Sequence, residues 1–174
     1  MCVKSLSTHC WVAILVIFLL VLIACGKKAE EQVVSTYPDG KKKETAIYQG
    51  AKPNQKMLKS LEYYQTGEKK KEYNYQDNLF HGPFTYWYKD GKIFCEGYIE
   101  NKAINLGLVT GRETYFWPNG VKMLEAETVG GKLKPGTIPI YRDEKGIEYR
   151  DEERPVDLVN RTKELTDRWE RGEL

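Results

Sequence analysis

Three patterns of apolar and polar positions follow one another along the 174 residues. Residues 11–24 (WVAILVIFLLVLIA) are 14 apolar positions without a break. A membrane-spanning helix needs about 20 such residues, whereas an export-signal core needs only about 7–15, so the run predicts a short N-terminal signal helix. Residues 25–36 are polar and lack periodicity, which predicts an extended tether. From residue 37 to about 153, aromatic and aliphatic residues are interleaved with Lys and Glu in short runs broken by glycine, the pattern of antiparallel strands and tight turns. Residues 154–174 change period: Val156, Val159, Leu165 and Trp169, with Thr162 in the gap, predict one face of a helix. Pro155 suits its first turn and Gly172 its end. The chain thus divides into residues 1–24, 25–36, 37–153 and 154–174, with the last expected to cover the open final hairpin.

The strand-forming part repeats itself. Tyr37-Pro-Asp-Gly40, Tyr64-Gln-Thr-Gly67, Tyr88-Lys-Asp-Gly91 and Trp117-Pro-Asn-Gly120 share the pattern aromatic-x-x-Gly, and Tyr141-Arg-Asp-Glu-Lys-Gly146 is a looser fifth copy. Glycine tolerates the positive φ that a hairpin turn requires, and Asn or Asp tolerates it better than most residues. With Asp90-Gly91 as a two-residue loop, Tyr88 pairs with Ile93, Trp87 with Phe94 and Tyr86 with Cys95. Asn119-Gly120 likewise pairs Phe116 with Met123 and Tyr115 with Leu124. With Thr66-Gly67 as the loop, Lys69, Lys70 and Lys71 face Tyr64, Tyr63 and Glu62 as a solubilising run. A single hairpin is marginal in water, so neighbours must stack. The expected fold is all-β: an extended antiparallel meander of hairpins with a C-terminal α-helix and an N-terminal signal helix.

Two resemblances follow from these residues. Leu22-Ile23-Ala24-Cys25 resembles the lipobox of bacterial lipoproteins, which implies cleavage after Ala24, a lipid on the Cys25 thiol, and a chain held at a membrane of the cell envelope outside the cytoplasm. Gly26 after Cys25 is similar to lipoproteins sent to the outer membrane. The aromatic-x-x-Gly copies, a central Tyr about eight residues on (Tyr48, Tyr75, Tyr98) and a later Gly (Gly82, Gly107, Gly136) resemble the MORN-repeat variant of bacterial proteins over residues 37–150. The first copy has Lys52-Pro53-Asn54-Gln55 at the later glycine, and the fourth has Val129-Gly130-Gly131 at the central tyrosine. That resemblance implies a scaffold or binding surface without a common catalytic site; some soluble relatives are antitoxins.

Composition narrows the chemistry. Residues 1–24 contain one charged residue, Lys4, so removing them leaves 26 Lys+Arg against 25 Asp+Glu. This near-neutral balance gives no argument for a nucleic-acid partner. Cys2 and Cys10 lie in the signal segment and Cys25 takes the lipid, so Cys95 stands alone. Neither a disulfide framework nor a metal cluster is expected, and no cofactor. His81, in Phe80-His-Gly-Pro, is expected in a loop and has no adjacent nucleophile. The acids Glu96, Glu100, Glu113, Glu125, Glu127 and Asp143 offer no distinguished pair for catalysis, so no catalytic residues and no enzyme activity are expected. The aromatics are the notable constellation: Tyr63-Tyr64, Tyr86-Trp87-Tyr88, Tyr115-Phe116-Trp117 and Tyr141. Consecutive residues on a strand point to opposite faces, so one set faces a core while another stays partly open. The expected function is a membrane-tethered scaffold binding a protein partner, with a glycan- or peptidoglycan-binding module and an immunity-type inhibitor as alternatives. The candidate surface is Tyr64, Tyr86, Trp87, Tyr88, Tyr115, Phe116, Trp117 and Tyr141.

Overall fold

The computed structural model describes residues 28–102, 110–130 and 132–174. The signal segment, Cys25 and Gly107 lie outside these. Among the described residues eleven strands form one antiparallel sheet: β1 (Ala29–Thr36), β2 (Lys42–Gln49), β3 (Lys56–Tyr63), β4 (Lys69–Gln76), β5 (Leu79–Trp87), β6 (Ile93–Lys102), β7 (Gly111–Phe116), β8 (Lys122–Val129), β9 (Lys132–Leu133), β10 (Ile140–Arg142) and β11 (Glu148–Tyr149). Each strand pairs with its neighbour in sequence, except that β8 pairs with both β9 and β10. The chain ends in helix α1 (Val156–Glu170). The all-β meander and the C-terminal helix are as expected. Residues 29–36, expected in a tether, instead form β1, paired with β2 along its length. Their alternating exposure is weak, which is why the sequence pattern hides them. β1 is an edge strand, and Glu30, Glu31 and a bulge near Val34 blunt it against further pairing.

The aromatic-x-x-Gly motif builds a different turn from the two-residue one expected. In the third copy the Gly91 amide donates to the Tyr88 carbonyl at 3.0 Å and the Tyr88 amide donates to the Lys92 carbonyl at 2.8 Å. Gly91 alone in this loop has positive φ, +82°. This is a three-residue loop closed by a glycine bulge, and the same bond pair recurs at residues 37–41, 64–68, 117–121 and 143–147. The three-residue loop shifts the first pair by one position, and a second bulge one pair further on, at Phe94, Met123 and Lys70 in the third, fourth and second copies, shifts the register back. Tyr86 pairs with Cys95 as expected, but Trp87 pairs with Ile93, not Phe94; Phe116 pairs with Lys122, not Met123; and Tyr63 pairs with Lys69, not Lys70. In the fifth copy Asp143, not Tyr141, occupies the first position of the loop. A true two-residue turn, with both central residues at positive φ, sits at Asp77-Asn78 between β4 and β5.

Helix α1 lies across one face of the sheet rather than along its last edge. Leu158, Leu165 and Trp169 are buried, whereas Val156 is 76% exposed and Val159 39%. At about 100° per residue, Leu158 falls within about 20° of Leu165, while Val156 lies on the opposite side. The helix closes with a left-handed Gly172 (φ +73°), whose amide donates to the Trp169 carbonyl while that of Glu173 donates to the Arg168 carbonyl. With Phe84, Tyr88, Phe94, Cys95, Ile99, Trp117 and Met123, the three helix residues form the core. No described helix is long and apolar enough to cross a membrane.

Candidate functional site

Alternation on the strands sorts the aromatics into three sets with different surroundings. The inner face, under α1, carries a row that pairs strand by strand: Lys71, Tyr86, Cys95, Tyr115, Leu124, Tyr141, Tyr149. Trp169 stacks on Phe94 (centroids 4.4 Å, planes 27° apart) and on Tyr86 (5.2 Å, 19°). Its indole N–H donates to the Trp87 carbonyl at 2.8 Å. Tyr86 shares a 2.6 Å hydroxyl–hydroxyl bond with Tyr73, and Tyr115 donates to Glu113 at 2.8 Å. Desolvation pushes both phenols well above their ordinary value. Tyr141 is capped by the Arg154 guanidinium, 3.7 Å from its ring centroid. Cys95 is wholly buried, and burial likewise pushes its thiol up, so it behaves as a small core residue.

The first residue of each motif forms the second set. The Tyr37 hydroxyl donates to the Tyr63 carbonyl (2.7 Å), Tyr64 to Trp87 (2.6 Å), Tyr88 to Phe116 (2.8 Å), and the Trp117 indole N–H to Arg142 (2.8 Å). Each therefore reaches over to the backbone just ahead of the next loop and ties successive hairpins together. Tyr64, Tyr88 and Trp117 are 2–3% exposed. They are staples of the fold.

The third set is on the outer face: Tyr63, Trp87 and Phe116, each half-buried and each next in sequence to an inner or stapling residue. They stand on β3, β5 and β7, so successive rings are carried about 9.6 Å apart. Ile93 of β6, paired with Trp87, lies between the last two. The adjoining outer row runs Glu72, Thr85, Glu96, Thr114, Glu125 by direct pairing. Glu72 is held by Lys59 and Lys69, and Glu125 by Lys122 (2.7 Å) and Arg142 (2.6 Å). The Lys69 ammonium also sits 5.7 Å from the Trp87 ring centroid.

Of the eight candidate surface residues, then, only Trp87 and Phe116 face outward; Tyr64, Tyr88 and Trp117 staple hairpins, and Tyr86, Tyr115 and Tyr141 face the helix side. Tyr63, Ile93 and Glu96 join the outer pair, and a strict count of alternation from Tyr86, allowing for the bulge at Phe94, finds them. Lys70, expected in a solubilising run, is instead the bulge residue and is 7% exposed. Its ammonium donates to the Glu170 carbonyl at 2.8 Å and lies 5.1 Å from the Trp169 ring and 5.6 Å from Tyr64. A cation at the carboxyl end of α1 opposes the helix dipole favourably. Burial pulls its pKa below the ordinary lysine value.

The remaining chemistry is dispersed. His81 lies in β5 rather than a loop, its Nε2 3.4 Å from the Tyr98 hydroxyl. Asp143 accepts the Lys145 and Ile147 amides in the last turn, and Glu127 pairs with Arg112 and Lys134. Among the described residues no group of three or more His, Cys, Asp or Glu is placed to hold a metal ion.

No family model matches the sequence, and no curated protein matches it. Among solved structures, the crystal structure of a GtfA/B complex bound to UDP and GlcNAc is similar at 13% identity, covering 82% of this chain and 27% of that one, with a TM-score of 0.29. The chain thus spans about a quarter of that structure's length, and a score at that level carries no statement about fold or activity.

Proposed function

We propose that this chain is a non-enzymatic, MORN-like hairpin scaffold, held at an envelope membrane by a lipid on Cys25, that binds a protein partner on the outer face of its sheet. The observation that carries the binding surface is the division of labour between the two faces. The inner aromatics are covered by α1, and the motif aromatics give their hydroxyl or indole hydrogens to the backbone. Tyr63, Trp87 and Phe116 have neither role and stay only half-buried inside a rim of charged residues. Partly exposed aromatics within a polar rim are the usual composition of a protein-binding patch. The five similar bulged loops support the repeat reading, and the short apolar run ending in Ala24-Cys25 supports the lipid anchor.

The test compares wild-type chain with Trp87→Ala/Phe116→Ala for capture of proteins from solubilised envelope and for binding to purified peptidoglycan sacculi. The scaffold reading expects one or more envelope proteins retained by the wild type and lost by the double variant, with sacculus binding absent. Sacculus binding that the double variant loses replaces the protein partner with a glycan. Identical capture by both chains removes the outer face from the account.

A further inference from the structure

The centre of the outer face carries a charge that its flanks do not. Three carboxylates stand there on alternate strands: Glu72 on β4, Glu96 on β6 and Glu125 on β8. Both flanking groups are neutralised within the chain, Glu72 by Lys59 and Lys69, Glu125 by Lys122 and Arg142. Glu96 is exposed, and among the described residues no cation lies within ion-pair distance of it. Its direct partners across the sheet are Thr85 and Thr114, which are uncharged. Trp87 and Phe116 lie two residues beyond those threonines on the same face. They are therefore diagonal neighbours of Glu96, at the about 7–8 Å separation that aromatic and long side chains bridge. Ile93 supplies an apolar floor between the rings.

Resting on the outer-face reading above, we propose that Trp87, Glu96 and Phe116 form a recognition site for a single arginine side chain of an extended partner segment. A guanidinium is planar, stacks on aromatic rings and pairs with a carboxylate through two parallel hydrogen bonds. The chain itself already places one cation over the Trp87 ring, the Lys69 ammonium. Lys69 and Lys122 stand to either side, so a second basic residue close to the first meets like charge. The segment that fits has one arginine among neutral residues, and its charge complements Glu96, which among the described residues is without a cation beside the paired Glu72 and Glu125.

The probe is a seven-residue peptide of serine and threonine with one central arginine, titrated into the full chain in detergent by calorimetry. Matched peptides carry citrulline, which has the same shape without the charge, or glutamate at the centre. The arginine peptide is expected to bind at least fivefold more tightly than the citrulline peptide and the glutamate peptide more weakly still. Glu96→Gln is expected to erase the arginine preference, Phe116→Ala to weaken binding of the arginine peptide, and Glu153→Gln, an exposed change in the turn before α1, to alter nothing. Equal binding of arginine and citrulline, a preference that survives Glu96→Gln, or no binding of the arginine peptide overturns the proposal. If capture of an envelope protein is lost in Trp87→Ala/Phe116→Ala but unchanged in Glu96→Gln, the arginine site fails while the scaffold reading stands.

Discussion

Trp169→Ala tests how α1 is joined to the sheet, because five separate contacts converge on this side chain. The indole is 4% exposed, stacks on Phe94 and Tyr86, donates to the Trp87 carbonyl, and is flanked by the Lys70 and Lys71 ammonium groups at 5.1 and 5.5 Å. Truncating a buried tryptophan costs about 3–5 kcal/mol in all, the loss of its packing on the two rings included. The Trp87 carbonyl keeps its bond from Tyr64, so no acceptor is orphaned, and Lys70 keeps the Glu170 carbonyl. The expected loss is about 4 kcal/mol. In a domain of this size each kcal/mol lowers Tm by about 2–4 °C, so a fall of about 8–16 °C is expected by circular dichroism melting. Trp169→Phe keeps the stacking and loses the hydrogen bond, and is expected to cost about 1 kcal/mol. A fall below about 3 °C for Trp169→Ala, or equal falls for both variants, refutes the docking described here.

Four further outcomes are expected. Gly97→Ala destabilises far more than Gly91→Ala in urea unfolding: a Cβ at Gly97 falls 2.2 Å from the Arg112 carbonyl oxygen and 2.7 Å from the Phe84 ring, whereas one at Gly91 meets nothing within 4 Å and strains only the backbone, by about 1–2 kcal/mol. Val156→Ser leaves Tm unchanged within about 1 °C, since the side chain is largely exposed; a fall like that of a core residue would place the helix on its other face. Stability is complete below about pH 10 and falls as the pH rises past it, because the Tyr86 and Tyr115 phenols ionise near their ordinary value only when unfolded; a urea midpoint unchanged between pH 9 and pH 11.5 contradicts their burial. Cys25→Ser abolishes incorporation of labelled fatty acid and leaves the longer precursor, whereas normal processing of the variant removes the lipid anchor.

The hairpins were legible in the sequence because aromatic-x-x-Gly marks each loop and glycine is needed where φ is +82° to +110°. What alternation alone missed was the bulge. Counting two residues for each loop instead of three puts Phe94 opposite Trp87 and Lys70 opposite Tyr63, and so assigns one bulge residue to the wrong face and the other to solvent. The bulge leaves Phe94 free to point inward beside Cys95, where it meets Trp169. It also turns Lys70 toward the end of a helix 100 residues away, a contact without local sequence signal. The helix phase was recoverable: Leu158, seven residues before Leu165, shares its face, while the valines that suggested a stripe do not. The staples were readable only as aromatic repeats, since a hydroxyl donated to the backbone and a hydroxyl offered to a ligand look alike in sequence.

Hydroxyl-radical footprinting of the full chain in detergent, with and without solubilised envelope, tests the assignment of the two faces most directly. Without envelope, Trp87, Tyr63 and Phe116 are expected to oxidise readily, while Trp117, Trp169 and Tyr88 stay protected. With envelope added, protection is expected to appear at Trp87, Phe116 and Tyr63 and nowhere on the inner face. Protection confined to Val156 and Val159 on the exposed side of α1, or an outer face that oxidises equally in both conditions, contradicts the account.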